Sequence, residues 1–156
     1  MSIDQFRQPA GTPVGGQFAA TAHAEPEVAL SGRELEALTD AYLEEALWTS
    51  PDAAGHNCLL MRTSVEDFDP DTRRQAEEDV AGFLEANAEL VASAKAARPS
   101  YSDRQVVEDF WLTRNGHGAG FWDRGLGDVG EELANVAKAY GSVDLHVGDD
   151  GKVRAS

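Results

Sequence analysis

Helix-start signals recur along this chain and constrain its fold more than any other feature. Ser31 and Glu34 have the S-x-x-E spacing of a capping box, in which each side chain satisfies a backbone N–H that the first helical turn leaves unpaired. Asp69-Pro70-Asp71 puts a capping carboxylate first, then a proline at the helical position that needs no N–H, then an acid at the positive end of the helix dipole. Ser102 and Gln105 repeat the capping-box spacing. Stops follow at Ser50-Pro51, Arg98-Pro99, Asn115-Gly116 and Gly141, where proline disfavours helix in the residue before it or glycine admits a left-handed cap.

Apolar residues between these marks keep the helical period. Leu35, Leu38, Tyr42 and Ala46 share one face, and Ala76, Val80, Phe83, Leu84, Ala88 and Val91 share another. Val106, Val107 and Phe110 follow the third start, and Leu133, Val136, Ala137 and Tyr140 follow Asp128. The spacing predicts helices over 31–48, 70–97, 103–114 and 128–140. Val143, Leu145 and Val147 then alternate with Asp144 and His146, and Asp150-Gly151 marks a turn. A C-terminal β-hairpin over 142–147 and 152–155 is expected. The fold class is therefore α+β, predominantly α, with residues 31–156 as a single globular domain. Between the first two helices, a loop with a brief strand or single turn should bury Leu59, Leu60 and Phe68. Residues 1–30 hold "PAGTPVGG" and an Ala-rich spacer without hydrophobic period, and read as a flexible tail. Phe6, Val14 and Phe18 are the anchors available if that tail docks.

Charge limits the partners. The net charge is −15, and it is concentrated: residues 34–79 carry thirteen Asp or Glu against Arg62, Arg73 and Arg74, a local balance of −10. Contacts with a nucleic-acid backbone require Lys and Arg, so direct nucleic-acid binding is not expected. A basic protein surface suits such a chain better, with Glu44, Glu45, Glu77 and Glu78 as its acidic face. No apolar run is long enough to span a bilayer, no signal-peptide pattern opens the chain, and Cys58 has no disulfide partner. These features predict a cytoplasmic protein without a membrane partner.

The densest cluster of chemistry-bearing residues is "RNGHGAGFWDRG", residues 114–125, within a segment that holds Gly116, Gly118, Gly120, Gly125, Gly127 and Gly130. Glycine is favoured where φ is positive or where another group approaches the backbone. Phe121, Trp122 and Leu126 are large enough to fasten such a loop to a core, so it should be ordered. Arg114, Asn115, His117, Asp123 and Arg124 could line a polar pocket, with His117 as an acid–base group oriented by Asp123. With Phe121 and Trp122 the same residues could instead form a binding surface, where Trp and Arg commonly anchor partners. The phosphate-loop pattern G-x-x-x-x-G-K-[ST] is absent. His56, Cys58 and His117 lack the paired spacings of a zinc site, and "DFDPD" and "GDDG" do not extend into a calcium loop. No catalytic residue, metal ligand or cofactor is assigned.

The run "DFWLTRNGHGAGFWDRG" (109–125), continued by "ANVAKAYGSVDLHVGDDGK" (135–152), resembles a family of small proteins carried by bacteriophages, prophages and plasmids. "YLEEALWTS" (42–50) and "FLEANAELV" (83–91) extend the similarity over most of residues 40–152. His146 stands where tyrosine is expected in relatives, which argues against an essential ligand there. "RQPAGTPVGGQFA" (7–19) is similar to an N-terminal element of actinobacterial mobile-element proteins. The resemblance implies a phage or mobile-element accessory protein and donates no catalytic residues. The resulting expectation is a non-enzymatic protein that binds a host or phage protein with a basic surface, with inhibition of a nucleic-acid-handling or defence protein as one version. The alternative is a small-ligand binder or enzyme with its pocket at 114–125.

Overall fold

A computed structural model of the chain describes residues 30–156, so all but Leu30 of the expected tail lies outside the described residues. The described chain is mostly helical, with a two-stranded antiparallel hairpin at its C-terminus. Helices α1 (Gly32–Thr49), α2 (Pro70–Ala86), α3 (Ala88–Ala97), α4 (Asp103–Arg114) and α5 (Asp128–Ala139) precede strands β1 (Leu145–Val147) and β2 (Val153–Ala155). The capping boxes at Ser31/Glu34 and Ser102/Gln105 both form, and Asp69 accepts from the backbone N–H groups of Asp71 and Thr72.

The expected helix over 70–97 is instead two helices, broken at Asn87. Its φ of −119° and ψ of 24° leave the helical region, and its side-chain Nδ2 donates to the Phe83 carbonyl at 2.8 Å. An asparagine amide competes with the helical ladder in this way, and the hydrophobic period alone does not register it. The hairpin is also shorter than expected. Its register pairs Leu145 with Ala155 and Val147 with Val153, and one further pair of backbone bonds joins Asp144 to Ser156. The loop 51–58 closes with an isolated bridge between Pro51 and Cys58, followed by a 3-10 turn over Leu59–Met61. Leu59 and Phe68 are buried as expected; Leu60, at 38 % exposed, is not. It points away because the short turn has only one inward position, which Leu59 takes.

Helix α1 packs against α4 and α2, and α5 packs against α4 and α3. Aromatic rings fill the space between them: Phe83 stacks on Phe110 with centroids 4.2 Å apart, and Phe121 lies 5.8 Å from Phe83 on a nearly parallel plane. Tyr42 and Tyr140 meet Phe110 from two other sides. The hairpin joins this body through Val153, which is fully buried and whose carbonyl accepts from the Asp69 N–H. No helix among the described residues is long and apolar enough to cross a membrane.

Candidate functional site

The glycine segment is an ordered connection between α4 and α5. Gly116 has φ +68° and ends α4 while the His117 N–H returns to the Leu112 carbonyl at 3.0 Å. Phe121–Asp123 form a single 3-10 turn, held by the Asp123 carboxylate on the Gly120 N–H and by Thr113 Oγ1 on the Phe121 N–H. Gly130, on α5, faces the Phe121 carbonyl so closely that a Cβ there would lie 2.7 Å from its oxygen. Glycine is needed at that position for the approach of two backbones.

The polar residues of 114–125 are largely used inside the fold. Arg114, with 4 % of its side chain exposed, donates to Asp79 Oδ2 at 2.7 Å and to Tyr42 Oη at 2.9 Å. Its Nε and Nη2 donate to the carbonyls of Gly141 and Tyr140, and its guanidinium lies over the rings of Phe110 and Tyr140. One side chain thus ties α4 to α1, α2 and the end of α5. Burial pushes the Tyr42 hydroxyl up to about 12, against the pull of Arg114, so it remains protonated beside that charge. Asn115 donates to the Trp111 carbonyl and accepts from the Val143 N–H, fastening the approach to the hairpin.

Arg124 reaches back to Asp109, which has no exposed surface. Its Nε and Nη2 donate to the two carboxylate oxygens at 2.6–3.1 Å, and Tyr101 Oη donates to the same carboxylate at 2.5 Å. The bond to Asp109 raises the Arg124 pKa, and burial with the Asp109 bond raises that of Tyr101, so both stay donors. Sequence reasoning missed Asp109, Tyr101, Asp79 and Tyr42 as partners. The legible signal was Asp109 itself, a carboxylate set among Val106, Val107, Phe110 and Trp111.

As a binding surface, then, residues 114–125 need correction. Phe121 has no exposed surface and Arg114 is buried, because one completes the aromatic core and the other satisfies four acceptors within it. His117 is half-exposed, and Trp122 is 43 % exposed, its ring 5.8 Å from Lys138 Nζ.

The acidic residues also divide. Glu77 and Glu78 are exposed on α2. Glu44 instead pairs with Arg104 of α4 at 2.6 Å, and Arg104 also holds Glu108 at 2.8 Å. Glu45 is half-buried; burial first, then the charges of Glu108 and Asp109, raise its pKa. A carboxyl whose folded pKa lies above its unfolded value costs stability once pH exceeds both, and that cost disappears as pH falls below both. Glu45→Gln is accordingly expected to raise the melting temperature at pH 7 and to leave it nearly unchanged near pH 4. A melting series across that range checks it.

A cleft of about 560 Å³ lies between the 51–63 loop and the hairpin, with Arg62, Thr63 and His146 among its polar lining. An apolar groove of about 500 Å³ lies along α1, α2 and α3. Neither is lined by residues 114–125. Among the described residues, no three His, Cys, Asp or Glu side chains converge as metal ligands. No family model matches the chain, and no curated protein or solved structure matches it.

Proposed function

We propose that this protein acts by binding another protein, offering negative charge to a basic surface and Trp122 as an apolar anchor. The observation that carries this reading is the position of Trp122. A tryptophan left 43 % exposed belongs to a turn whose neighbouring residues are pinned by Thr113 and Asp109 and which packs closely on Gly130. A rigid exposed aromatic loses little freedom when it is covered, which is why tryptophan is frequent among the residues that dominate interfaces.

The charge arrangement supports the same reading. Arg73, Arg74, Lys95, Arg104, Arg114, Arg124 and Arg154 each sit in an ion pair within the fold. Their charge is locally cancelled, Arg74 also lying 3.9 Å from Glu78, while the exposed Glu77 belongs to a surplus that gives the chain its −15. Such a field favours basic partners and raises their rate of encounter. The sequence resemblance supplies the setting, a phage or mobile element, and a basic nucleic-acid-handling or defence protein of the host is a partner of the right charge. A ligand pocket at 114–125 has less support, since Arg114, Asn115, Asp123 and Arg124 already bond within the fold.

Affinity capture from nuclease-treated host lysate tests the proposal, comparing wild type with Trp122→Ala and with Glu77→Lys/Glu78→Lys. A partner held in stoichiometric amount, lost with Trp122→Ala and weakened by charge reversal and by salt, is the expected result. Capture indifferent to both variants, or no retained partner, would overturn it.

A further inference from the structure

The two edges of the hairpin differ. In an antiparallel ladder, hydrogen-bonded and non-bonded residue pairs alternate. Asp144 and Ser156 exchange backbone bonds, and the Gly148 N–H donates to the Lys152 carbonyl at 2.8 Å. With the register of β1 on β2, this turns the N–H and C=O groups of Leu145 and Val147 away from β2. The outer edge of β2 is covered: the Asp69 N–H donates to the Val153 carbonyl, and the Ala155 N–H donates to Thr72 Oγ1 at 3.2 Å. Among the described residues, nothing pairs with the outward groups of Leu145 and Val147.

The cleft of about 560 Å³ runs along that open edge. Every residue of β1 lines it, and no residue of β2 does. The 51–63 loop supplies the other wall, with Leu59 as a buried apolar residue and Arg62 as an exposed cation. Arg62 has no ion-pair partner among the described residues, whereas Arg73 and Arg74 are paired. Asp52, the acid in the same wall, is engaged by its own loop: its carboxylate accepts from the His56 N–H at 3.0 Å and from Asn57 Nδ2 at 3.3 Å. The cleft thus offers unpaired strand backbone, apolar surface and one guanidinium. Another extended backbone is the ligand that matches alternating N–H and C=O groups on a strand edge. None of residues 114–125 lines this cleft, so the site does not depend on the role of Trp122.

We propose that this cleft binds an extended segment of a partner protein, which adds to β1 as a third strand and places one Asp or Glu side chain on Arg62. Leu145 and Val147 supply the backbone donors and acceptors, and a segment of about five residues spans them. Val147, 42 % exposed, gives the incoming strand apolar surface to cover. One carboxylate suits the site, since Arg62 offers one fork for one acid and the chain's −15 repels a strongly acidic segment. A strand edge this short pairs weakly by itself, so the wall that carries Arg62 decides which sequences bind.

The test uses the full-length chain, screened against random heptapeptides displayed on phage, with the enriched peptides then synthesised. Enriched sequences should share an Asp or Glu. At saturation, a synthetic peptide should slow hydrogen exchange at the Leu145 and Val147 amides. Arg62→Gln should weaken binding by about tenfold, the usual weight of a hydrogen bond to a charged group. Val147→Pro removes an outward N–H and leaves the ladder bonds to β2 in place, so it should abolish binding. Should that variant lose the hairpin, amide protection in the wild type and the Arg62→Gln affinity still decide. A library without binders, bound peptides that leave both amides in fast exchange, or binding indifferent to Arg62→Gln would overturn the proposal. So would slow exchange of both amides before any peptide is added, since the edge would then already be paired, by this chain or by a second copy.

Discussion

Replacing Arg114 by methionine is expected to lower the free energy of unfolding by about 3–5 kcal/mol, the usual result of removing one partner of a buried ion pair. Methionine keeps much of the volume, so the loss isolates the polar contacts. Asp79 loses its counter-charge, Tyr42 Oη its donor, and the carbonyls of Tyr140 and Gly141 the N–H groups that satisfy them. Lysine should not rescue the protein. A single ammonium cannot reach acceptors on three sides at once, nor lie flat against Phe110 and Tyr140 as the guanidinium does. Urea unfolding of wild type, Arg114→Met and Arg114→Lys provides the measurement. A loss below about 1 kcal/mol in both variants would mean that Arg114 does not organise the helices, since surface pairs fall in that range. Domains of this size are held by about 5–15 kcal/mol in total, so the expected loss is a large fraction of it.

The second large effect is expected at Asp109. Asp109→Ala removes a carboxylate with no exposed surface, leaving the Tyr101 hydroxyl without its acceptor and Arg124 without its counter-ion. The loss should again be about 3–5 kcal/mol. Arg124→Ala leaves the opposite defect, a buried carboxylate that keeps only Tyr101 of these donors. The two losses should not add: the double variant should be less damaged than their sum by about 0.5–3 kcal/mol, the range for residues in direct contact. Additive losses in that cycle would show that the two side chains act separately. Because Arg124 closes the turn that carries Trp122, Arg124→Ala should also change the fluorescence of the Trp122 indole, read in a Trp48→Phe background because Trp48 is exposed as well.

Local chemistry in the sequence was enough to place most helix starts. Ser31, Asp69 and Ser102 cap where their spacing with Glu34, Pro70 and Gln105 says they should, since capping involves only residues a few positions apart. Asn87 shows the limit of the hydrophobic period: Val80, Phe83 and Val91 keep an apolar stripe across a break that one side-chain amide makes. The glycine loop was legible as ordered, because large apolar residues stood among the glycines. Which of its residues face outward was not. Phe121 and Trp122 are neighbours of similar character, and only the presence of Phe83 against one of them decides that Phe121 goes in and Trp122 remains half out.

The same division holds for charge. The sequence by itself determined a predominantly helical α+β chain with a C-terminal hairpin and an excess of negative charge concentrated over residues 34–79. The tertiary structure alone decided what those charges do. Arg114 and Asp79 are 35 residues apart in the chain, and Arg104 and Glu44 are 60 apart. No local pattern encodes such pairs, because they arise when helices pack and burial leaves an ion the choice of a partner or a large desolvation penalty. Capping and periodicity are short-range and can be read in one dimension, whereas burial is a property of the packed whole.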